Sequence, residues 1–491
     1  MDPNIISLDD YRDVDGFGIG SQTDVDALNK ALNVGYLSGS GTNGAEQLKL
    51  QSLELTLKNL SFKESDVAFW LTVPKLPAYS TVEEYNRLLD YGIEAGGFFG
   101  EGEAPEESDA TYERKAELVK YIGTTKSVSH VAQLVNTNVG NMVTHQTENG
   151  TKWVLRAADR ALHFGDSSIV PHEWNGFLAQ HKSAFSTPDL WHNSDVVYDV
   201  RGGNLTEANL ENLAEIAVDY HAAPDLLLGS PATIGGYTKQ YHESKFIQPN
   251  TAAVSAGEVG MRVNVTNTQF GKVKLGYDKF LRTSSGRLST AGATHPKAPA
   301  APVADIVTPV VAVADALNEF GTDFSGDYFV GVAAVNRYGE SQITMMSASA
   351  VAVAATEALD LKFAAGAGAY TATGYVIYRS VKDDTGTATT AKLYPVGKLS
   401  VADLATGFDG GAPSIARDRN RFIPDTDIAY LVENTNEIWS FKQLAPMMKM
   451  DLARISTSDR FMILLYGTPQ LYAPKKVIII KNIGRHVSVT P

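Results

Sequence analysis

Two apolar runs near the C-terminus constrain this chain more than any other feature. Within residues 438–482, the run 461–466 (FMILLY) is followed by Gly467-Thr468-Pro469, and a second run, 477–480 (VIII), follows the basic pair Lys475 and Lys476. Short apolar runs set apart by Gly and Pro read as central strands of a buried sheet. The rest of the chain must therefore supply the partners and the cover for that sheet.

At 491 residues the sequence is too long for one ordinary domain, and two to four are expected. With 44% apolar residues a sizeable core is within reach. The formal charge of −14 argues against a reader of nucleic acid, which carries a basic face. It is compatible with a container whose wall does not stick to a polyanion inside. There is no cysteine, so disulfides, thiolate metal sites and cysteine nucleophiles are excluded. Stability has to come from packing and association, which suits a reducing cytoplasm. The acidic start, MDPNIISLDDYRDVDG, lacks the basic and apolar regions of a signal sequence, and no apolar run approaches the roughly 20 residues of a membrane span. A soluble, unsecreted protein is expected.

Residues 1–45 are rich in Gly, Ser, Asn and Asp, with a short helical pattern at 25–32, and read as an extended arm. Leucines at 48, 50, 53, 55, 57 and 60 give a helix signal ending near Phe69 and Trp70, although their alternation fits a strand as well. A strand-like start at 71–73 leads through 78–85 to a glycine-rich, acidic tip, GIEAGGFFGEGEAPEESDATYER, and strand-like sequence returns at 116–119 and 121–135. A long two-stranded excursion cannot bury both faces against its own domain, and one of this length is usually functional or covered by a partner. Phe98 and Phe99 look like an anchor for a neighbouring subunit. Tyr79, Tyr85, Glu101 and Glu103 join them as candidate subunit-contact residues.

The strongest helix pattern covers 139–164, with apolar or small residues at Val139, Met142, Val143, Gly150, Trp153, Val154, Ala157, Ala161 and Phe164. It predicts a rod about 39 Å long, with Gly150 a point of bending or breakage and Gly165-Asp166 the end. Residues 204–243 read as an α/β unit. Thr206 is an N-cap, the helix stripe is Leu210, Leu213, Ala214, Ala217 and Tyr220, and Pro224 is the stop; a buried strand (226–228) and a short helix (234–242) follow. Alternation at 261–265 and 273–277 around 267–271 reads as a hairpin. At Pro296 the composition shifts to Ala, Val, Thr and Gly until Gly411. Within that stretch YFVGVAAVNRYGES (328–341) and ATGYVIYRS (372–380) are similar to strands of fibronectin type III and related immunoglobulin-like modules, in a departed order. Beyond Gly411 the composition returns to that of residues before 296, so a variant β-sandwich is inserted into a parent domain.

No motif offers chemistry. Gly39-Ser40-Gly41-Thr42-Asn43-Gly44 is a literal G-x-G-x-x-G, but a helical pattern rather than a strand precedes it, and a flexible arm is the better reading. Ten histidines include no H-E-x-x-H; His163 reads as a satisfied packing residue, and His172, His181 and His192 lack the convergent spacing of a zinc site. Glu101, Glu103, Glu106, Glu107 and Asp109 miss the EF-hand positions and read as a solvated acidic tip. There is no G-x-S-x-G and no Walker sequence. No cofactor, metal or catalytic activity is expected.

Pro446-Met447-Met448, Leu464-Leu465-Tyr466-Gly467 and Ala473-Pro474-Lys475-Lys476, with AADRALHFGDSS (157–168) and WNGFL (174–178), resemble segments of the major capsid proteins of large tailed phages, Twort-like myophages in particular. The resemblance covers nearly everything outside 296–413. It implies an α+β chain of the Hong Kong 97-type fold, with an N-terminal arm and first helix (1–70), a long E-loop hairpin (71–135) and a peripheral domain with its spine helix (136–203). It further implies an axial domain (204–295), the inserted immunoglobulin-like sandwich (296–413) and return strands (414–491). The implied function is structural: self-assembly into hexamers and pentamers of an icosahedral head around double-stranded DNA, without sequence-specific binding and without a membrane. Implied partners beyond the chain itself are a portal and scaffold, decoration or minor capsid proteins, and the implied place is the virion, after assembly in the host bacterial cytoplasm. Residues 76–121 are expected to lie across a neighbouring subunit and the 297–412 module to project outward. Lys115 and Lys120 fall on the loop, but nothing marks them or an Asn partner as reactive cross-linkers; with Met1 at the start, no processing cut is expected. The rival expectation is a decoration, tail or adhesive protein built on the sandwich.

Overall fold

In a computed structural model, the closing segments of the chain sit at the centre of two sheets. The structure describes residues 67–92, 98–104, 107, 109–134, 141–244, 263–282, 286–454 and 456–484. The arm at 1–45, the G-x-G-x-x-G and most of the first helix signal lie outside them. The end of that signal is helical, at Ala68–Thr72.

The first sheet has four strands in the order Lys75–Pro77, Trp439–Asp451, Ser458–Leu471, Lys120–Ser129. Ser458–Leu471 pairs antiparallel on both sides, with Phe461 opposite both Asp451 and Lys126. Contrary to the sequence reading, Gly467-Thr468-Pro469 does not end this strand. The Pro469 carbonyl accepts from Gln180 Nε2 at 2.8 Å and the Leu471 N–H donates to Gln180 Oε1 at 2.8 Å, so this edge faces a side chain. The neighbouring strand has already stopped opposite Gly467, and a proline that lacks an N–H on that side breaks no ladder bond. Strand pairing of Lys120–Ser129 also ends sooner than expected. The Ser129 hydroxyl accepts from Ala132 N, and His130–Leu134 turns helical.

Met142–Phe164 is one unbroken helix lying against this sheet. Gly150 does not break it: the glycine is buried, and a Cβ there would stand 2.5 Å from Ile463 Cδ1, so its smallness lets helix and sheet approach. Val154, Ala158, Ala161 and Leu162 face an aromatic core containing Phe69, Trp174, Phe177, Trp191, Trp439 and Phe441. His163 packs there as expected, stacked on Phe69 at 4.1 Å, but it is not satisfied: neither ring nitrogen has a hydrogen-bond partner.

The second apolar run does not share that sheet. Val477–Ile483 belongs to a six-stranded sheet in the order Val197–Asp199, Val477–Ile483, Asp427–Val432, Leu226–Gly229, Gly271–Tyr277, Val265–Thr268. Ile478 and Ile480 point to a core shared with Leu210, Leu213 and Ala217, while Val477 and Ile479 point to the aromatic core. Burial on both faces explains why the run is continuously apolar rather than alternating. The Thr206 hydroxyl accepts from Asn209 N to start Glu207–Asp219, and the following helix is Pro231–Ser244.

Between these elements, paired strands from Arg287 to Asp418 form two larger sheets and a two-stranded one, Gly326–Tyr328 with Val351–Val353. Of the larger two, one contains Val303–Ala304, Glu357–Ala364, Val310–Ala314 and Ile415–Asp418; the other contains Val330–Asn336, Gly374–Arg379 and Lys392–Ser400. They enclose a core of Phe320, Tyr328, Val332, Leu361, Tyr375 and Ile377. Its strands reach beyond the 296–413 read from composition. Residues 296–302 (PKAPAAP) are tied down: the Lys297 and Pro302 carbonyls accept from Asn336 and Thr344. All described residues except Asn141 fall within one compact unit.

Two glycines test the packing. At Gly467 a Cβ would run into Phe441 Cε1 and stand 2.5 Å from the Lys442 carbonyl, so Gly467→Ala is expected to destabilise by about 1–3 kcal/mol. Gly235, inside a helix with open space around it, is expected to gain about 1 kcal/mol as Ala. The urea midpoint of unfolding should fall for the first and rise for the second.

Candidate assembly surface

Val82–Asp90 and Thr111–Leu118 pair antiparallel as a separate two-stranded sheet. Period-two alternation gives the hairpin two unlike faces. Glu83, Tyr85 and Arg87, opposite Glu117, Lys115 and Glu113, form the half-buried face against the body. The Tyr85 hydroxyl donates to the Leu471 carbonyl at 3.1 Å, Arg87 Nη2 donates to the same oxygen at 2.5 Å, and Arg87 lies 3.6 Å from Glu113. Tyr85 also packs edge-on against Tyr472 at 5.0 Å; burial pushes its phenol up to about 12. Asn175 Nδ2 donates to Glu117 Oε2 at 3.2 Å, and Lys120 Nζ to the Pro171 carbonyl at 2.8 Å. Burial raises the Glu117 carboxyl, opposed first by the Asn175 bond.

The opposite face is exposed along its whole length. It carries the cross-strand pair Val82 and Leu118, then the ion pair of Glu84 with Arg114, then the pair Leu88 and Tyr112. Two apolar pairs flanking a charged one leave apolar side chains open to solvent on this face. At the tip Phe98 is 104% exposed and Phe99 lies open beside it. Glu103 closes the tip turn, its carboxylate accepting from Gly100 N at 3.1 Å, with Gly102 at φ 92°. Glu101 is exposed on the same turn. At the base Tyr79 is 86% exposed, held there as Glu83 accepts from the Tyr79 and Ser80 amides.

Of the six residues proposed from sequence, Phe98, Phe99, Glu101 and Glu103 thus gather at the tip and Tyr79 stands at the base. Tyr85 turns the other way and binds its own chain. The sequence reading missed Tyr91, Tyr112 and Tyr121, all well exposed, and Arg87, the tether. Tyr112 could have been found from the hairpin register, which sets it opposite Leu88.

The sandwich is fixed to the body by a chain of ion pairs. Arg417 forks onto Asp360 (2.6 and 2.9 Å), Arg419 reaches Asp315 (2.8 Å) and Asp409 (3.4 Å), and Arg421 reaches Asp409 (3.0 Å) and Asp189. Asp189 belongs to the short body helix Pro188–His192. Nearby, Lys481 sits 3.0 Å from Asp199 and Arg201 sits 3.1 Å from Glu319. Burial pushes the Asp409 carboxyl up to about 7, against the pull of Arg419. The histidines here are structural: His181 accepts from Trp191 Nε1 at 2.8 Å, and its Nε2 lies 3.0 Å from the Val477 carbonyl.

The chain is similar in sequence to known proteins. The SU10 major capsid protein family matches residues 96–291, from the hairpin tip to the six-stranded sheet. The major capsid protein of Staphylococcus phage S25-3 is 25% identical over 470 residues, 94% of this chain and 95% of its own length. That of Staphylococcus phage K is 25% identical over the same shares. This chain is a relative of phage major capsid proteins. Its role is structural, as a subunit of a virion capsid. The capsid of myovirus phage XM1 is similar at a TM-score of 0.42 and 8% identity, covering 90% of this chain and 99% of that one. The chain folds as an α+β protein, the class expected from its sequence.

Arg87→Ala should free the hairpin without unfolding the body. Loss of its charged hydrogen bond to Leu471 is expected to lower local opening free energy across 82–90 and 111–118 by about 1.5–3 kcal/mol. Amide hydrogen exchange should show faster exchange there and unchanged protection in 477–483.

Proposed function

We propose that the chain builds an icosahedral head from hexamers and pentamers, enclosing double-stranded DNA, with the hairpin of one subunit lying across the next. The observation that carries this is the hairpin's division of labour: one face bound to its own body, the other face and the tip exposing Val82, Leu88, Phe98, Phe99, Tyr112 and Leu118. One chain in hexamers and pentamers must meet slightly different neighbours, and a two-stranded arm flexes where a packed sheet does not. Tyr79, Phe98, Phe99 and Glu101 are the contact residues in this reading, and Tyr85 and Glu103 shape the hairpin. The acidic chain holds DNA by enclosure rather than by binding. A portal, and scaffold, decoration or minor capsid proteins, are its partners, with assembly in the host bacterial cytoplasm.

Negative-stain microscopy of the full-length protein, expressed alone and with its neighbouring phage genes, is expected to show shells, tubes or six-fold rings. Deleting residues 96–107 should abolish them and leave a folded monomer. Normal particles from that variant would overturn the role given to the tip, and a soluble monomer or trimer from the intact chain under both conditions would favour a decoration or tail protein. We further propose that the sandwich projects outward from the shell, held rigid by its arginine–aspartate ties. A particle reconstruction placing it on the DNA side would refute this.

A further inference from the structure

One polar cluster lies wholly buried in the core. Asp159 and His163 stand one turn apart on the long helix, so both project from one face. Asp278 follows the strand Gly271–Tyr277 of the six-stranded sheet. All three are 0% exposed, and one ligand atom from each lies within 4.8 Å of the others. Ligand atoms that share one cation at bond lengths of roughly 2.0–2.2 Å stand about 3–4 Å apart, so small side-chain shifts bring these three onto a common ion.

The hydrogen bonds around the cluster orient the carboxylates without neutralising them. Asp159 Oδ1 accepts from Trp70 N at 2.9 Å, Asp278 Oδ2 from Phe69 N at 2.8 Å and Asp278 Oδ1 from Phe280 N at 2.7 Å. Asp159 Oδ2 and both His163 nitrogens have no partner, and among the described residues no Lys or Arg forms an ion pair with either acid. Two carboxylates with no counter-charge are costly in so dry a place. The cost shows at Asp159, whose carboxyl is pushed up to about 9 by burial and then by the charge of Asp278. Burial also keeps the His163 imidazole neutral, which is the ligating form.

We propose that Asp159, His163 and Asp278 bind one divalent cation of the zinc class. One nitrogen and two carboxylate oxygens suit that borderline ion better than magnesium or calcium, which prefer oxygen alone. The cation supplies the missing counter-charge and takes up Asp159 Oδ2 and one imidazole nitrogen. It ties the long helix to the six-stranded sheet and, through the Phe69 and Trp70 amides, to the helix that leads toward the hairpin.

The test uses the full chain without a histidine tag, expressed in medium supplemented with ZnCl2 and, separately, CoCl2. Elemental analysis of the wild type should give close to one zinc per chain, and the cobalt form should show ligand-field absorption of a bound ion. His163→Phe, which keeps the stack on Phe69, and Asp278→Asn, which keeps an acceptor for one of the two amides, should each lower metal content at least tenfold. His172→Ala, at an exposed position, should leave it unchanged. Chelation should lower the Tm of the wild type by several degrees and leave that of His163→Phe unmoved. Wild type carrying neither zinc nor cobalt would overturn the proposal, leaving a proton on Asp159 as the answer to the buried charge. Variants that keep the wild-type metal content would overturn it as well.

Discussion

A sheet that must be covered on both faces governs this fold. Asp427–Val432 and Val477–Ile483 offer apolar side chains in both directions. Water has to be kept from each side, by Glu207–Asp219 and Pro231–Ser244 on one and by the aromatic core on the other. The long helix is required by the second demand, since it lies across that core and on the four-stranded sheet at once. Small residues set the closeness of this packing, Gly150 against Ile463 and Gly467 against Phe441. Arg417, Arg419 and Arg421 alternate along the returning chain and each finds carboxylates, Arg419 and Arg421 reaching Asp189 of the body, while Phe422 packs against both cores.

The hairpin is the opposite case. Two strands alone have no interior, so one face is pinned to the body by polar bonds at Leu471 and the other stays bare. The same alternation that makes the inner face polar leaves valine, leucine and tyrosine outside. A fold with a rigid double-covered centre and a pinned but exposed arm suits a subunit that must hold its own shape while joining others.

Much of this was legible in the sequence wherever a single period ruled. The long helix, the Thr206 cap, the strand at Leu226 and the paired sandwich strands all follow from local pattern. Gly467-Thr468-Pro469 misled because punctuation by Gly and Pro presumes a ladder on both sides, and here one side faces Gln180. The two apolar runs read as one sheet, since nothing local says that the 3-10 turn at Pro474–Lys476 passes the chain from one sheet to another. At the exposed surface, phenylalanines amid glycines announced themselves, whereas Tyr85 and Tyr112 differ only by the face their register gives them. His163 looked like plain packing because Asp278, which completes its surroundings, arrives far along the chain.

The tether at Leu471 has a consequence for synthesis. Arg87 is made well before the carbonyl that holds it, which lies 384 residues further along, and before the strand that pairs between Trp439–Asp451 and Lys120–Ser129. Until those residues are made, the hairpin has no tether and the four-stranded sheet lacks its middle.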